Sequence, residues 1–149
     1  MKINDIVPEI ILKDQNNRDY SVNEALKKGP VILYFYPKDN TPGCTKEACG
    51  FRDAMASFIG KNVQVIGISG DSPKSHANFA SNYSLPFTLL SDRGNKTRKM
   101  FNVPKSFLGL IPGRVTYIID QQNVIRGIVS SQVNALKHVE ESLAIVNGL

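Results

Sequence analysis

The sequence predicts an α/β fold with a mixed central sheet, helices on both faces and an N-terminal β-hairpin. Three observations predict it. Two apolar, β-rich runs, Val31 to Tyr36 and Val63 to Ser69, have the pattern of strands covered on both faces. Helical patterns alternate with these runs, and that alternation implies parallel strands joined by crossovers. Toward the C-terminal end, two further β-rich runs flank a polar tetrapeptide, as an antiparallel hairpin does, before a last amphipathic helix.

Element by element, Glu9 to Lys13 and Arg18 to Val22 flank the polar turn cluster Asp14-Gln15-Asn16-Asn17 and read as a small hairpin covering a sheet edge. Val31 to Tyr36 is a buried strand closed by Pro37. In Thr45 to Ile59, Ala48, Phe51, Met55 and Phe58 recur at intervals of three and four and form one apolar helical stripe. Val63 to Ser69 is the next strand. Asp71 or Ser72 can cap a helix running through Tyr83, with Pro73 in its first turn. Phe87 to Leu90 reads as a strand, Gly94 to Phe101 as a short helix, and Val115 to Ile119 with Val124 to Val129 as the hairpin around Asp120-Gln121-Gln122-Asn123. Val133 to Val146 is the final helix. This order matches a thioredoxin-like fold.

At 149 residues, with no Ser/Gly linker, charge block or internal repeat, the chain is expected to be one domain, residues 1-149. No apolar run approaches the roughly 20 residues of a membrane-spanning helix. The start Met1-Lys2-Ile3-Asn4-Asp5 lacks both an apolar signal core and transit-peptide character, so the expected compartment is bacterial or cyanobacterial cytoplasm, with a mature chloroplast protein as the alternative. Lys and Arg number 18 against 13 acidic residues, but the excess is spread along the chain. The only adjacent basic pairs are Lys27-Lys28 and Arg98-Lys99, which argues for a solvated surface and against nucleic-acid binding. Two cysteines and two histidines, His76 and His138, make no zinc-finger spacing, and no structural metal is expected.

Two cysteines five positions apart in a chain without a signal peptide point to redox chemistry rather than a structural staple. Cys44 follows the Pro/Gly-rich turn Pro37 to Gly43 and stands at the start of the predicted helix. There, unpaired backbone N–H groups and the positive end of the helix dipole favour an anion, so the reactive thiolate is stabilised. The same N–H groups suit an oxygen that gains charge as an O–O bond breaks. The Thr41 hydroxyl can accept and donate hydrogen bonds, although a threonine in this place often serves only as a cap. Pro42 limits solvent access without competing as a donor. A small buried cysteine is the bland reading of Cys44, and its position in a polar turn at a helix start argues against it. Cys49 falls about 7.5 Å further along the helix axis. Bridged cysteines need Cα atoms within about 7 Å, so joining the pair requires the helix start to unwind. His76 and His138 have no neighbouring ligand set and receive no catalytic role. Glu47 and Arg52 read as helix-surface or ion-pair residues, Asp71 as a helix cap and Asp92 as a turn residue.

The stretch Pro37-x3-Thr41-x2-Cys44 with a second cysteine at Cys49 resembles the peroxiredoxins of the atypical two-cysteine subfamily called peroxiredoxin Q or bacterioferritin comigratory protein. The resemblance covers nearly the whole chain. It extends to Phe51-Arg52-Asp53, Gly67-Ile68-Ser69-Gly70-Asp71, Leu89-Leu90-Ser91-Asp92 and Pro112-Gly113-Arg114. It implies that Cys44 is the peroxidatic cysteine and Cys49 the resolving one, that Thr41 and Arg114 orient peroxide and thiolate, and that Pro42 shields the site. From the residues alone, Arg114 is a lone arginine at a strand start, and its role rests on the resemblance. A guanidinium would favour both thiolate and developing oxyanion because it keeps its proton.

The resulting expectation is a cofactor-free peroxidase, monomeric, that reduces hydrogen peroxide and organic hydroperoxides. It forms a sulfenic acid and then a Cys44–Cys49 disulfide, recycled by thioredoxin or a similar dithiol protein. Two rivals stand beside it. A thiol-disulfide oxidoreductase normally separates its cysteines by two residues, and here four intervene. A peroxide-responsive switch would use the same disulfide without turnover.

Overall fold

The computed structural model describes residues 1–59, 61–106 and 108–149. Its centre is a seven-stranded mixed sheet. In chain order the strands are β1 (Ile11–Asp14), β2 (Asp19–Ser21), β3 (Val31–Phe35), β4 (Gln64–Ser69), β5 (Thr88–Ser91), β8 (Val115–Ile119) and β9 (Ile125–Ser130). A separate two-stranded ladder joins β6 (Lys105–Ser106) and β7 (Ile111–Pro112). The spatial order is β2-β1-β5-β4-β3-β8-β9. The pairs β3–β4 and β4–β5 are parallel, and all the others are antiparallel. The N-terminal hairpin extends the β5 edge, as its polar turn and short alternating strands led us to expect. The turn is held by the Asp14 carboxylate, which accepts from the backbone N–H groups of Asn16 and Arg18, and Asn17 adopts a left-handed φ of 59°.

Five α-helices pack on this sheet: α1 (Val22–Leu26), α2 (Pro42–Ile59), α3 (Pro73–Tyr83), α4 (Lys96–Met100) and α5 (Ala135–Asn147). One face buries Leu33, Phe35, Ile66 and Tyr117 against Leu26 of α1 and Phe101 after α4. The other buries Ile32, Tyr34, Tyr36 and Leu89 against Phe51 and Phe58 of α2, Phe79 of α3 and Val139 of α5. The apolar stripe of α2 seats itself in this second layer, with Phe51 stacked 4.9 Å from the Tyr34 ring.

Some boundaries differ from the sequence reading. Helix α2 starts at Pro42 instead of Thr45, because proline is suited to a first helical position and leaves no backbone donor unpaired there. Cys44 therefore lies inside the first turn. Helix α3 is capped by Ser72, whose hydroxyl accepts from the Ser75 N–H. The Asp71 carboxylate is engaged elsewhere, accepting from the Asp39 N–H and the Ser69 hydroxyl, so its reading as the cap is corrected. The short helix after β5 divides into a 3-10 turn, Arg93–Asn95, and α4, the break falling at left-handed Gly94 and Asn95 within the turn. Asp92 is more than a turn residue: its two carboxylate oxygens accept from the N–H groups of Thr97 and Arg98.

Candidate active site

The site is assembled where the β3–α2 loop, the start of α2, the segment before β8 and the start of α5 converge. Cys44 is buried, 1% exposed, in the first turn of α2. Helix geometry leaves the Gly43 and Cys44 N–H groups without a carbonyl one turn back, and the first helical bond runs from the Thr45 N–H to the Thr41 carbonyl. The sulfur thus sits among free donors at the positive end of an 18-residue helix.

Arg114 arrives from across the sheet, just ahead of β8. Its Nη2 donates to Cys44 Sγ at 3.3 Å, its Nη1 to Glu47 Oε1 at 2.6 Å, and its Nε to the Gln132 carbonyl at 3.2 Å. These three contacts fix the plane of the guanidinium. Burial works against the charged form of Arg114, but Glu47 and Cys44 outweigh it and its proton is held more firmly than usual. Gly113 makes the approach possible, since a Cβ there would fall 1.8 Å from the Pro104 carbonyl oxygen. Gly43 leaves room on the other side, where a Cβ would stand 3.1 Å from Arg114 Nη2.

Glu47 and Arg98 are the residues whose setting the sequence misjudged. Glu47 does pair with an arginine, Arg114, but it is fully buried rather than on the helix surface. Burial pushes its carboxyl up to about 8, against the opposing pull of Arg114. Arg98, counted with the solvated charges, is 5% exposed: it donates to the carbonyls of Tyr36 and Gly113 and lies over the Phe35 ring. It ties the end of β3 to the segment carrying Arg114. No local signal marks either residue, because the partners Tyr36 of Arg98 and Arg114 of Glu47 lie more than 60 positions away in the chain.

Thr41 precedes α2, and its hydroxyl donates to the Lys38 carbonyl at 2.9 Å, which leaves its lone pairs facing outward from that bond. Pro42 is exposed at the helix start. Cys49 is partly exposed on the same helix, and both cysteines are free. The five-residue separation corresponds to about 7.5 Å along the axis, out of reach of a bridge while the helix is intact. Arg52, one turn beyond, pairs with Asp53 and donates from Nη1 to the Tyr83 carbonyl at 2.7 Å.

The two histidines are buried structural nodes. His138 on α5 lies 3.6 Å from Glu47 Oε2, with Nδ1 2.8 Å from Thr116 Oγ1 and Nε2 2.8 Å from the Ser131 carbonyl oxygen. Burial lowers its pKa. His76 contacts Asp39 Oδ2 at 2.7 Å, and Tyr36 and Ser75 donate to the same carboxylate. This group anchors the β3–α2 loop to α3. Asp39, Asp71 and His76 place ligand-type atoms within 4.8 Å of one another, all of them engaged in hydrogen bonds inside the protein.

A buried sulfur at a helix start, hydrogen-bonded to a clamped guanidinium, defines a site for nucleophilic thiol chemistry in which negative charge is stabilised. Residues 3–128 match the AhpC/TSA family, and the chain belongs to that family. Among its relatives it is 51% identical over 136 residues to the chloroplastic peroxiredoxin Q of Arabidopsis thaliana, covering 91% of this chain and 62% of that one. The chain spans less than two thirds of the length of several of the curated relatives it matches. The crystal structure of peroxidoxin BcpB from Mycobacterium tuberculosis superposes with a TM-score of 0.93 at 34% identity, covering 100% of this chain and 98% of that one. The bacterioferritin comigratory protein of Xanthomonas campestris, described for its alkyl peroxide reduction activity, superposes with a TM-score of 0.84 at 26% identity, covering 97% and 98%. The fold is thus the thioredoxin-like fold of the peroxiredoxins, as the element order led us to expect. No described helix is long and apolar enough to cross a membrane.

Proposed function

We propose that the protein is a thiol peroxidase that reduces hydrogen peroxide and organic hydroperoxides. The observation that carries this reading is the 3.3 Å hydrogen bond from Arg114 Nη2 to Cys44 Sγ in the first turn of α2. The Cys44 thiolate attacks one peroxide oxygen, an S–O bond forms as the O–O bond breaks, and the leaving oxygen takes a proton to depart as water or alcohol. Arg114 and the free N–H groups of the helix start hold the charge that develops during this exchange. Thr41 offers its hydroxyl lone pairs to the incoming peroxide, and Pro42 covers the site.

Cys49 then displaces water from the Cys44 sulfenic acid. The first turns of α2 unwind to bring the two sulfurs together, and an intramolecular disulfide results. A dithiol protein of the thioredoxin type returns two electrons and reopens the bridge. No cofactor takes part in this sequence. The protein works as a monomer, in a bacterial cytoplasm or in the chloroplast that the names of its plant relatives specify. The Xanthomonas neighbour supports alkyl hydroperoxides as substrates.

Sustained peroxide consumption in the presence of a dithiol reductant tests the assignment. Wild type should turn over many equivalents, Cys44→Ser none, and Cys49→Ser should stall after one. A wild type that stops after one equivalent despite excess reductant would make the disulfide a switch rather than a catalytic intermediate.

A further inference from the structure

Arg114 serves two acceptors with one positive charge, Cys44 Sγ through Nη2 and Glu47 Oε1 through Nη1. If both were anions, this buried site would hold a net negative charge. Among the described residues, the titratable groups around Glu47 include no cation besides Arg114: they are Arg114 just ahead of β8, Tyr34 from β3 and His138 from α5, with Cys44 on its own helix. Arg98, also near Cys44, has its guanidinium turned to two backbone carbonyls.

The second oxygen of Glu47 sharpens the point. Oε2 is buried without a hydrogen-bond partner, an expensive state for half of a carboxylate. The atom opposite it is Nδ1 of His138, 3.6 Å away. His138 Nε2 lies against the Ser131 carbonyl, which can only accept, so the ring proton belongs on Nε2. Burial favours the neutral ring, leaving Nδ1 with one lone pair and two oxygens beside it, Thr116 Oγ1 at 2.8 Å and Glu47 Oε2 at 3.6 Å. Lys137 and Glu141, beside His138 on α5, are partly exposed and offset one another. Nδ1 therefore has no proton to give, and an ionised Oε2 would face an acceptor with no donor of its own, whereas a protonated Oε2 turns a hydrogen toward that acceptor.

We propose that Glu47 is a positioning residue that works as a neutral acid, its proton on Oε2 toward His138 and its Oε1 accepting from Arg114, so that the guanidinium's charge is left to the Cys44 sulfur. The inference deepens the peroxidase reading and rests on it for the consequence to catalysis, but the protonation state itself does not. The upward displacement of the Glu47 carboxyl by burial agrees with it. Ionisation of Glu47 would draw Arg114 toward the new carboxylate and weaken its hold on sulfur.

Infrared spectroscopy of the reduced protein reads the proton directly. A protonated-carboxyl carbonyl band should be present at near-neutral pH, disappear as pH rises through about 8, and be missing from Glu47→Gln. Absence of any such band near neutrality overturns the proposal, whether or not the protein consumes peroxide. Rescue supplies the second readout: Glu47→Ala should slow the thiol–peroxide step about 10²-fold through misplacement of Arg114. Glu47→Gln, shaped like the protonated acid, should recover most of that loss and show no decline above pH 8 where wild type does. A Glu47→Gln as slow as Glu47→Ala means that the carboxylate is the working form and sinks the idea. Titration of the wild-type band decides the matter even if both variants fold poorly.

Discussion

At the scale of single residues, Arg114 is the point on which the site turns, because one planar group meets a sulfur, a carboxyl oxygen and a backbone carbonyl at once. Lysine cannot reproduce that planar fork, as all its donors sit on one nitrogen. Arg114→Lys should therefore slow the reaction of Cys44 with hydrogen peroxide by roughly 10² to 10³, the usual cost of losing one aligned donor to a developing oxyanion. Stopped-flow measurement of the peroxide step checks this, and a rate within a few-fold of wild type would contradict it. Cys44 and Cys49 were legible in the sequence because their signal is local: a polar Pro/Gly turn, a helix start and a five-residue spacing. The contact of Arg114 with sulfur was not, since it spans 70 positions and only the sheet brings it about. The burial of Glu47 and Arg98 was missed for the same reason, although a charged partner for Glu47 was expected. A charged residue on a helix reads as solvated until the fold supplies partners that make its burial tolerable.

At the scale of elements, α2 carries both cysteines, and the proposed mechanism asks two opposed things of it. Intact, it holds Cys44 at its positive end; bridged, it has to open between Cys44 and Cys49. The turn that opens contains Glu47, so opening breaks the buried pair with Arg114. Just beyond, Phe51 is fully buried against Tyr34, and Arg52 is bonded to the end of α3. Under the proposed mechanism these contacts would mark where the unwinding stops. Hydrogen exchange should show the amides from Thr45 to Cys49 protected in the reduced protein and open in the oxidised one, with protection unchanged after Phe51. Equal protection of that segment in both states would rule out coupling of the bridge to unwinding. The longer elements were readable from period and composition. Helix α1, five residues long, was not predicted, its first residue Val22 standing at the end of the predicted second strand and the rest in no element, because so short a segment shows no period. The two-residue strands β6 and β7 escaped for the same reason.

At the scale of the whole molecule, the buried polar groups of the site should leave a mark on stability. The Glu47 carboxyl is displaced from 4.5 to about 8 by burial, so between those values the native state binds more protons than the unfolded chain. Its contribution is full below about pH 4.5 and is lost as pH rises toward 8. His138, lowered from 6.5 by burial, acts in the opposite sense: the native ring resists protonation, and stability is lost as pH falls below that value. Glu47→Gln removes the first effect and keeps the second. The stability of wild type relative to Glu47→Gln should therefore decline steadily from about pH 5 to pH 8, as followed by denaturant unfolding. A difference independent of pH would mean that Glu47 does not hold its proton in the folded state.

Intact mass after addition of one equivalent of hydrogen peroxide to the reduced protein tests the assignment of the two cysteines most directly. Wild type should lose two hydrogens as the Cys44–Cys49 disulfide forms. Cys49→Ser should gain one oxygen as a sulfenic acid on Cys44, and Cys44→Ser should be unchanged. An unreactive wild type, or a Cys44→Ser that consumes peroxide as fast as wild type, would contradict the account.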